Sequence, residues 1–145
     1  MSYLKFFQQF IGKSFPEGAA GFTRWLNGTL LSLDENHLSM SFIVREDMMN
    51  PVGLLHGGVH SAIIDELSGF LVAVQPVDTW FVSVNLSVDF HNKVKLGEEI
   101  IGKAVIKKRG KTIINVECEL VNSEGEIVSR GTTNLANTFK PKSIL

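Results

Sequence analysis

Three observations predict an α+β fold with one long helix laid on an antiparallel sheet. Val82, Val84, Leu86, Val88 and Phe90 alternate with Ser83, Asn85, Ser87 and Asp89, a strand period of two. From about Gly57 to Val74 the apolar period is helical instead, with Val59, Ile63, Phe70 and Val74 on one face and Leu67 nearby. The element order is a short helix, two strands, the long helix and four strands, which makes a helix layer against a sheet layer. A single helix leaves part of such a sheet uncovered, which favours dimerisation.

Each element has its own signal. Phe6, Phe7, Phe10 and Ile11 lie between Lys5 and Lys13, the pattern of a short amphipathic helix rather than a signal peptide. Gly12 to Gly21 is a connection, so residues 1–20 form an N-terminal helix and connection within a single domain spanning 1–145. Phe22 to Leu33 is expected as a strand, with Asp34-Glu-Asn36 as its turn. His37 to Arg45 is the next strand, placing Leu38, Met40, Phe42 and Val44 on one side. Pro51 and Gly53 break the loop before the long helix. After it, Lys95-Leu-Gly97-Glu98 turns into a strand from Ile100 to Lys108. Arg109-Gly110-Lys111 is a tight hairpin turn in which a positive φ is expected at the glycine. Strands Thr112 to Val121 and Glu126 to Thr138 follow.

Composition narrows the function. A formal net charge of −1 argues against nucleic-acid binding by the whole surface. No apolar run reaches the ~18–20 residues that span a membrane. With no signal peptide recognised, a cytoplasmic location is the default expectation. The lone Cys118 sits in a strand pattern and is expected to be a buried, inert thiol. His37, His56, His60 and His91 lack metal-ligand spacing, so no metal and no cofactor is expected.

The chemistry concentrates in Asn50-Pro-Val-Gly53-Leu-Leu-His56-Gly57-Gly58 and the helix that follows. A helix N-terminus offers unpaired N–H groups with partial positive charge, and glycines let a ligand oxygen come close. Such amides polarise a carbonyl, although Gly57-Gly58 is also what a tight loop-to-helix turn uses. His56 has two readings, orienting substrate or water and capping the helix; Asn50 before Pro51 equally suits a loop-holding turn. Asp65 is sharper, because a charge within an apolar helix is costly unless used or paired. It shares an arc of small residues with Ser61 and Gly69, whereas Glu66 projects back among apolar side chains. His56 and Asp65 are nine residues apart, about 13 Å of rise and half a turn out of phase. They do not meet around one carbonyl within one chain, so a shared site would lie at a homodimer interface.

The Asn50-x-x-Gly53-x-x-His56-Gly57-Gly58 motif with Asp65 and Gly69 resembles the hotdog-fold acyl-CoA thioesterases of the PaaI-like branch. The resemblance runs from about Gly21 to Asn137 and takes in Val82-Ser83-Val84-Asn85-Leu86, Lys95-Leu-Gly97-Glu98 and Arg109-Gly110-Lys111-Thr112. It implies a central helix wrapped by a curved antiparallel sheet, and a homodimer with two shared sites, often paired into a tetramer. It implies acyl-CoA as substrate. Asp65 stands at the catalytic carboxylate, as base or nucleophile, with Ser83 assisting from the same subunit. Gly57 stands where a backbone N–H polarises the thioester, and Asn50 and His56 where substrate or water is positioned. Gly58, Arg109, Gly110, Lys111 and Thr112 are the expected coenzyme A contacts, with Lys107 and Lys108 adding charge for its phosphates. One residue departs from the pattern, Glu66, where relatives carry a smaller polar residue; His60 is an extra ionisable group near the helix mouth with no assigned role. A non-catalytic acyl-CoA-binding protein and an enoyl-CoA hydratase or dehydratase are the rival readings.

Overall fold

The computed structural model describes residues 1–143. Its six strands are β1 (Thr29–Leu33), β2 (His37–Ile43), β3 (Thr79–Phe90), β4 (Glu99–Arg109), β5 (Ile113–Val121) and β6 (Ile127–Pro141). They form one sheet in the order β1-β2-β4-β5-β6-β3, and every neighbouring pair is antiparallel. The helices are α1 (Tyr3–Gln8), α2 (Gly21–Leu26) and α3 (Gly57–Ala73), and α3 packs across strands β2 to β6.

The predicted periodicities build this core. Leu38, Met40, Phe42 and Val44 are all buried, as are Ile114, Val116, Cys118 and Leu120 on β5. Against them α3 presents Ile63, Ile64, Leu67 and Leu71. The sheet admits the helix closely at two glycines: a Cβ on Gly102 would stand 2.4 Å from Leu67 Cδ1, and one on Gly131 2.8 Å from Ile64 Cγ2. Beneath α3, the Ser68 hydroxyl donates to Ile64 O at 2.7 Å and sits 3.3 Å from Cys118 Sγ. Burial pushes the Cys118 thiol up to about 12, so it stays protonated and inert.

Three sequence expectations need correction. Phe22 to Leu33 is not one strand: Gly21–Leu26 is helical, and β1 starts only at Thr29. Asn27 ends α2 in the left-handed region (φ 53), its N–H donating to Thr23 O. Asn-Gly at 27–28 is thus a helix C-cap rather than part of a strand. Gly110 does not have positive φ. It is small because its amide donates to Ile113 O at 2.9 Å, where a Cβ would lie 2.6 Å from that oxygen. Finally, the alternation of β3 is interrupted by a register shift between Ser83 and Asn85. Ser83 faces α3 before the shift, whereas Val88 and Phe90 face it afterwards.

β3 is an edge of the sheet, paired among the described residues only with β6. Val82, Val84 and Phe90 on it are each more than half exposed. A long apolar edge strand is a template for pairing with another chain.

Candidate active site

The helix mouth is organised by its own backbone. Asn50 Oδ1 accepts from Val52 N at 3.1 Å and Leu54 N at 3.0 Å, folding the loop over Pro51. His56 is the N-cap of α3: its Nδ1 accepts from Gly58 N at 2.8 Å. An accepting Nδ1 carries no proton, so the neutral ring holds its proton on Nε2. The sequence suggested two exposed amides here, but His56 occupies that of Gly58. The Gly57 amide has no acceptor among the described residues. It borders a cavity of about 280 Å³ lined by Asn50, Leu54, His60, Phe90 and Lys93 among others.

His60 helps wall that cavity. It is 4% exposed, with Nδ1 3.0 Å from Ser129 Oγ and its ring edge-on to Phe90. Burial lowers its pKa to about 4, so the imidazole is neutral at neutral pH.

A second constellation sits two turns along α3. Asp65 is exposed, and the Ser83 hydroxyl donates to its Oδ1 at 2.6 Å. Glu66 is half-buried and accepts from the Thr23 hydroxyl at 2.5 Å. Burial raises the Glu66 pKa; the Thr23 hydrogen bond opposes this, and the neighbouring charge of Asp65 adds to it. Asp65, Glu66, Ser83 and Thr23 all border one cavity of about 880 Å³. Its remaining wall is apolar, with Phe6, Phe7, Phe15, Phe70, Trp80 and Phe81. Glu66 was expected to face away from Asp65, yet it shares this cavity. Thr23 was missed because α2 was read as strand; the Asn27-Gly28 cap is the signal that places a helix there.

The hairpin residues divide. Arg109 is engaged inside the chain: Nε donates to Gln75 Oε1 at 2.9 Å, and Nη2 to Glu35 O and Asn36 Oδ1. It ties the β4–β5 hairpin to the end of α3. Lys108, Lys111 and Thr112 are exposed, and Lys107 lies 3.8 Å from Glu117 across the sheet. Asn137 fixes the turn from below by donating to Lys111 O and Thr112 O.

The chain therefore pairs Asp65 with Ser83 and, separately, Asn50 with Gly57. It does not bring the two sets into one cavity. Each set holds a different part of hydrolytic chemistry: a carboxylate beside a hydroxyl, and an unpartnered helix amide.

A model of the thioesterase superfamily matches residues 52–129. Mouse acyl-coenzyme A thioesterase 13 is 32% identical over 121 residues, covering 81% of this chain and 86% of that protein. The crystal structure of mouse thioesterase superfamily member 2 superposes with a TM-score of 0.74 at 30% identity, covering 81% of this chain and 86% of that one. The Escherichia coli PaaI structure has a TM-score of 0.79 at 18% identity, covering 86% and 88%, and shares the fold. Both the fold and the sequence place the chain in the thioesterase superfamily, to which it belongs.

Proposed function

We propose that this chain hydrolyses acyl-CoA thioesters to a free acid and coenzyme A, in sites shared between two copies of itself. The carrying observation is the separation of Asp65–Ser83 from Asn50–Gly57 in a chain whose edge strand is open. Edge-to-edge pairing through β3 would bring one subunit's Asp65 to the other's helix mouth. The half-exposed Val82, Val84 and Phe90 supply apolar area for that contact. Further pairing of dimers into a tetramer, and action in the cytoplasm, belong to the same reading.

The chemistry follows from the parts. The Gly57 N–H of one subunit donates to the thioester carbonyl oxygen and stabilises the charge that develops on it. Asp65 of the other draws a proton from water, whose oxygen adds to the carbonyl carbon; direct attack by the carboxylate is the alternative route. The C–S bond then breaks, the coenzyme A sulfur takes a proton, and the acid departs. Ser83 holds Asp65 in place through the 2.6 Å hydrogen bond. Asn50, with its oxygen committed to the loop, has its amide N–H groups left for substrate or water. His56 acts as a cap and offers Nε2–H outward. Lys108 and Lys111 carry the charge for the coenzyme A phosphates, with Gly110 and Thr112 beside the pantetheine arm and Gly58 behind the carbonyl.

Free-thiol release over a panel of acyl-CoAs tests this. Hydrolysis of at least one member, lost in Asp65→Asn, is expected. Tight acyl-CoA binding without thiol release would favour a binding protein, and hydration of an enoyl-CoA would favour a hydratase. Unchanged turnover in Asp65→Asn would move the acid role to Glu66.

A further inference from the structure

Gly69 lies inside α3, four residues after Asp65, where glycine weakens a helix relative to alanine. Nothing in its surroundings requires glycine. Its φ is not positive, and a Cβ built on it meets no atom within 4 Å. Gly102 and Gly131, by contrast, are pressed against α3 side chains. The space beside Gly69 is the interior of the 880 Å³ cavity that also holds Asp65.

Asp65, Gly69 and Ala73 follow at intervals of four and border that cavity together. They form a smooth strip about 12 Å long. Across it stand Phe6, Phe7 and Phe15 of the N-terminal segment. Phe7 and Phe15 are anchored edge-on to Phe70, with ring centroids 4.9 and 5.1 Å away. The segment is tied down by Gly12 N donating to Leu30 O at 2.7 Å and Gln8 donating to Leu33 O at 2.9 Å. One end of the cavity is thus polar and the rest apolar, the shape of a site that holds a reacting group at one end and a tail at the other.

We infer that Gly69 and the N-terminal phenylalanines set the length of the acyl group. The tail runs from Asp65 along the strip past Gly69 to Ala73 and ends against the wall made by residues 6–15. This rests on the thioesterase reading above. With C–C bonds of about 1.5 Å, a zigzag chain advances ~1.25 Å per carbon, so the strip accommodates on the order of ten carbons. An acetyl group would leave most of the cavity empty, so the class chosen is an acyl group with a medium-length apolar tail.

The test is the ratio of kcat/KM for decanoyl-CoA to that for butyryl-CoA in the wild type, Gly69→Ala, Gly69→Leu, Gly69→Phe and Phe15→Ala. The wild-type ratio should exceed one. Filling the strip should lower it stepwise, at least tenfold in Gly69→Phe, while Phe15→Ala should shift the preferred length upward by two or more carbons. Gly69→Ala should raise Tm by a few degrees, because its Cβ enters open space. Thermal melts of Gly69→Leu and Gly69→Phe establish which filled variants keep an intact fold. A ratio unmoved by both Gly69→Leu and Gly69→Phe in folded protein overturns the inference, as does a change of oligomeric state with no change of ratio. No thiol release from wild type on any acyl-CoA would defeat the thioesterase reading itself, a separate result.

Discussion

The two ends of the candidate site are built in opposite ways. At the helix mouth, polar groups are held by one another: Asn50 by its loop amides and His56 by Gly58 N, with the Gly57 amide left unused. Around Asp65, a charge borders a wide apolar cavity, steadied by one hydroxyl. The first region is a set of dipoles fixed by hydrogen bonds and the second is a carboxylate beside an open cavity. A fixed amide dipole gains most when it does not have to reorganise. A carboxylate base needs access to water and substrate. The chain keeps the two in separate cavities, and the proposed dimer would bring them together.

The largest effect is expected at Asp65. Asp65→Asn keeps the shape and the hydrogen bond from Ser83, so Tm should stay nearly constant while kcat falls about 10³-fold, within the range for loss of a general base. Steady-state kinetics with thermal melts checks both parts. Gly57→Pro is the matching change at the other end. Proline is tolerated at the first position of a helix, and the atom nearest the new Cβ is the tip of the Phe90 ring at 3.3 Å, a side chain rather than backbone. Loss of the N–H should lower kcat by roughly 10²–10³, with far-UV circular dichroism unchanged.

Smaller effects sharpen the contrast. His60 is held near pKa 4 by burial, below its unfolded value of ~6.5. Between these values the unfolded chain binds the extra proton. Stability therefore falls as pH drops from about 6.5 to 4, by on the order of 3 kcal/mol, and is unaffected by this group above that window. Urea titrations across the range should show the slope, and His60→Leu should flatten it. His56→Ala removes the N-cap acceptor and should cost about 1 kcal/mol of stability, with a much smaller loss of kcat than Gly57→Pro. A larger catalytic loss than that would make His56 a substrate-positioning residue rather than a cap.

Much of this was legible in the sequence because periodicity survives folding. Leu38 to Val44 and Val59 to Leu71 announce their faces, and the His56-Gly57-Gly58 step into an apolar helix carrying Asp65 marks the candidate site. What was hidden depended on contacts between distant segments. The helical Gly21–Leu26 carries Phe22 and Trp25, which have strand propensity, and only the Asn27-Gly28 cap signals its end. Arg109 looked like a free phosphate partner because Gln75, Glu35 and Asn36 are remote in sequence. The register shift at Val84 leaves no trace in a clean alternation, yet it allows Ser83 to face α3 and Phe90 to reach Gly57. Glu66 and Thr23 meet only because α2 folds back on α3.

In the proposed dimer, a working site takes Asp65 from one subunit and Gly57 from another. This is tested most directly by mixing. Asp65→Asn and Gly57→Pro chains, each inactive alone, are unfolded together in equal amounts and refolded. Half the dimers should then be mixed, each with one intact site and one doubly damaged, so activity should return to about a quarter of wild type. Activity that stays at the average of the two separate variants would contradict the shared site and place both functions within a single chain.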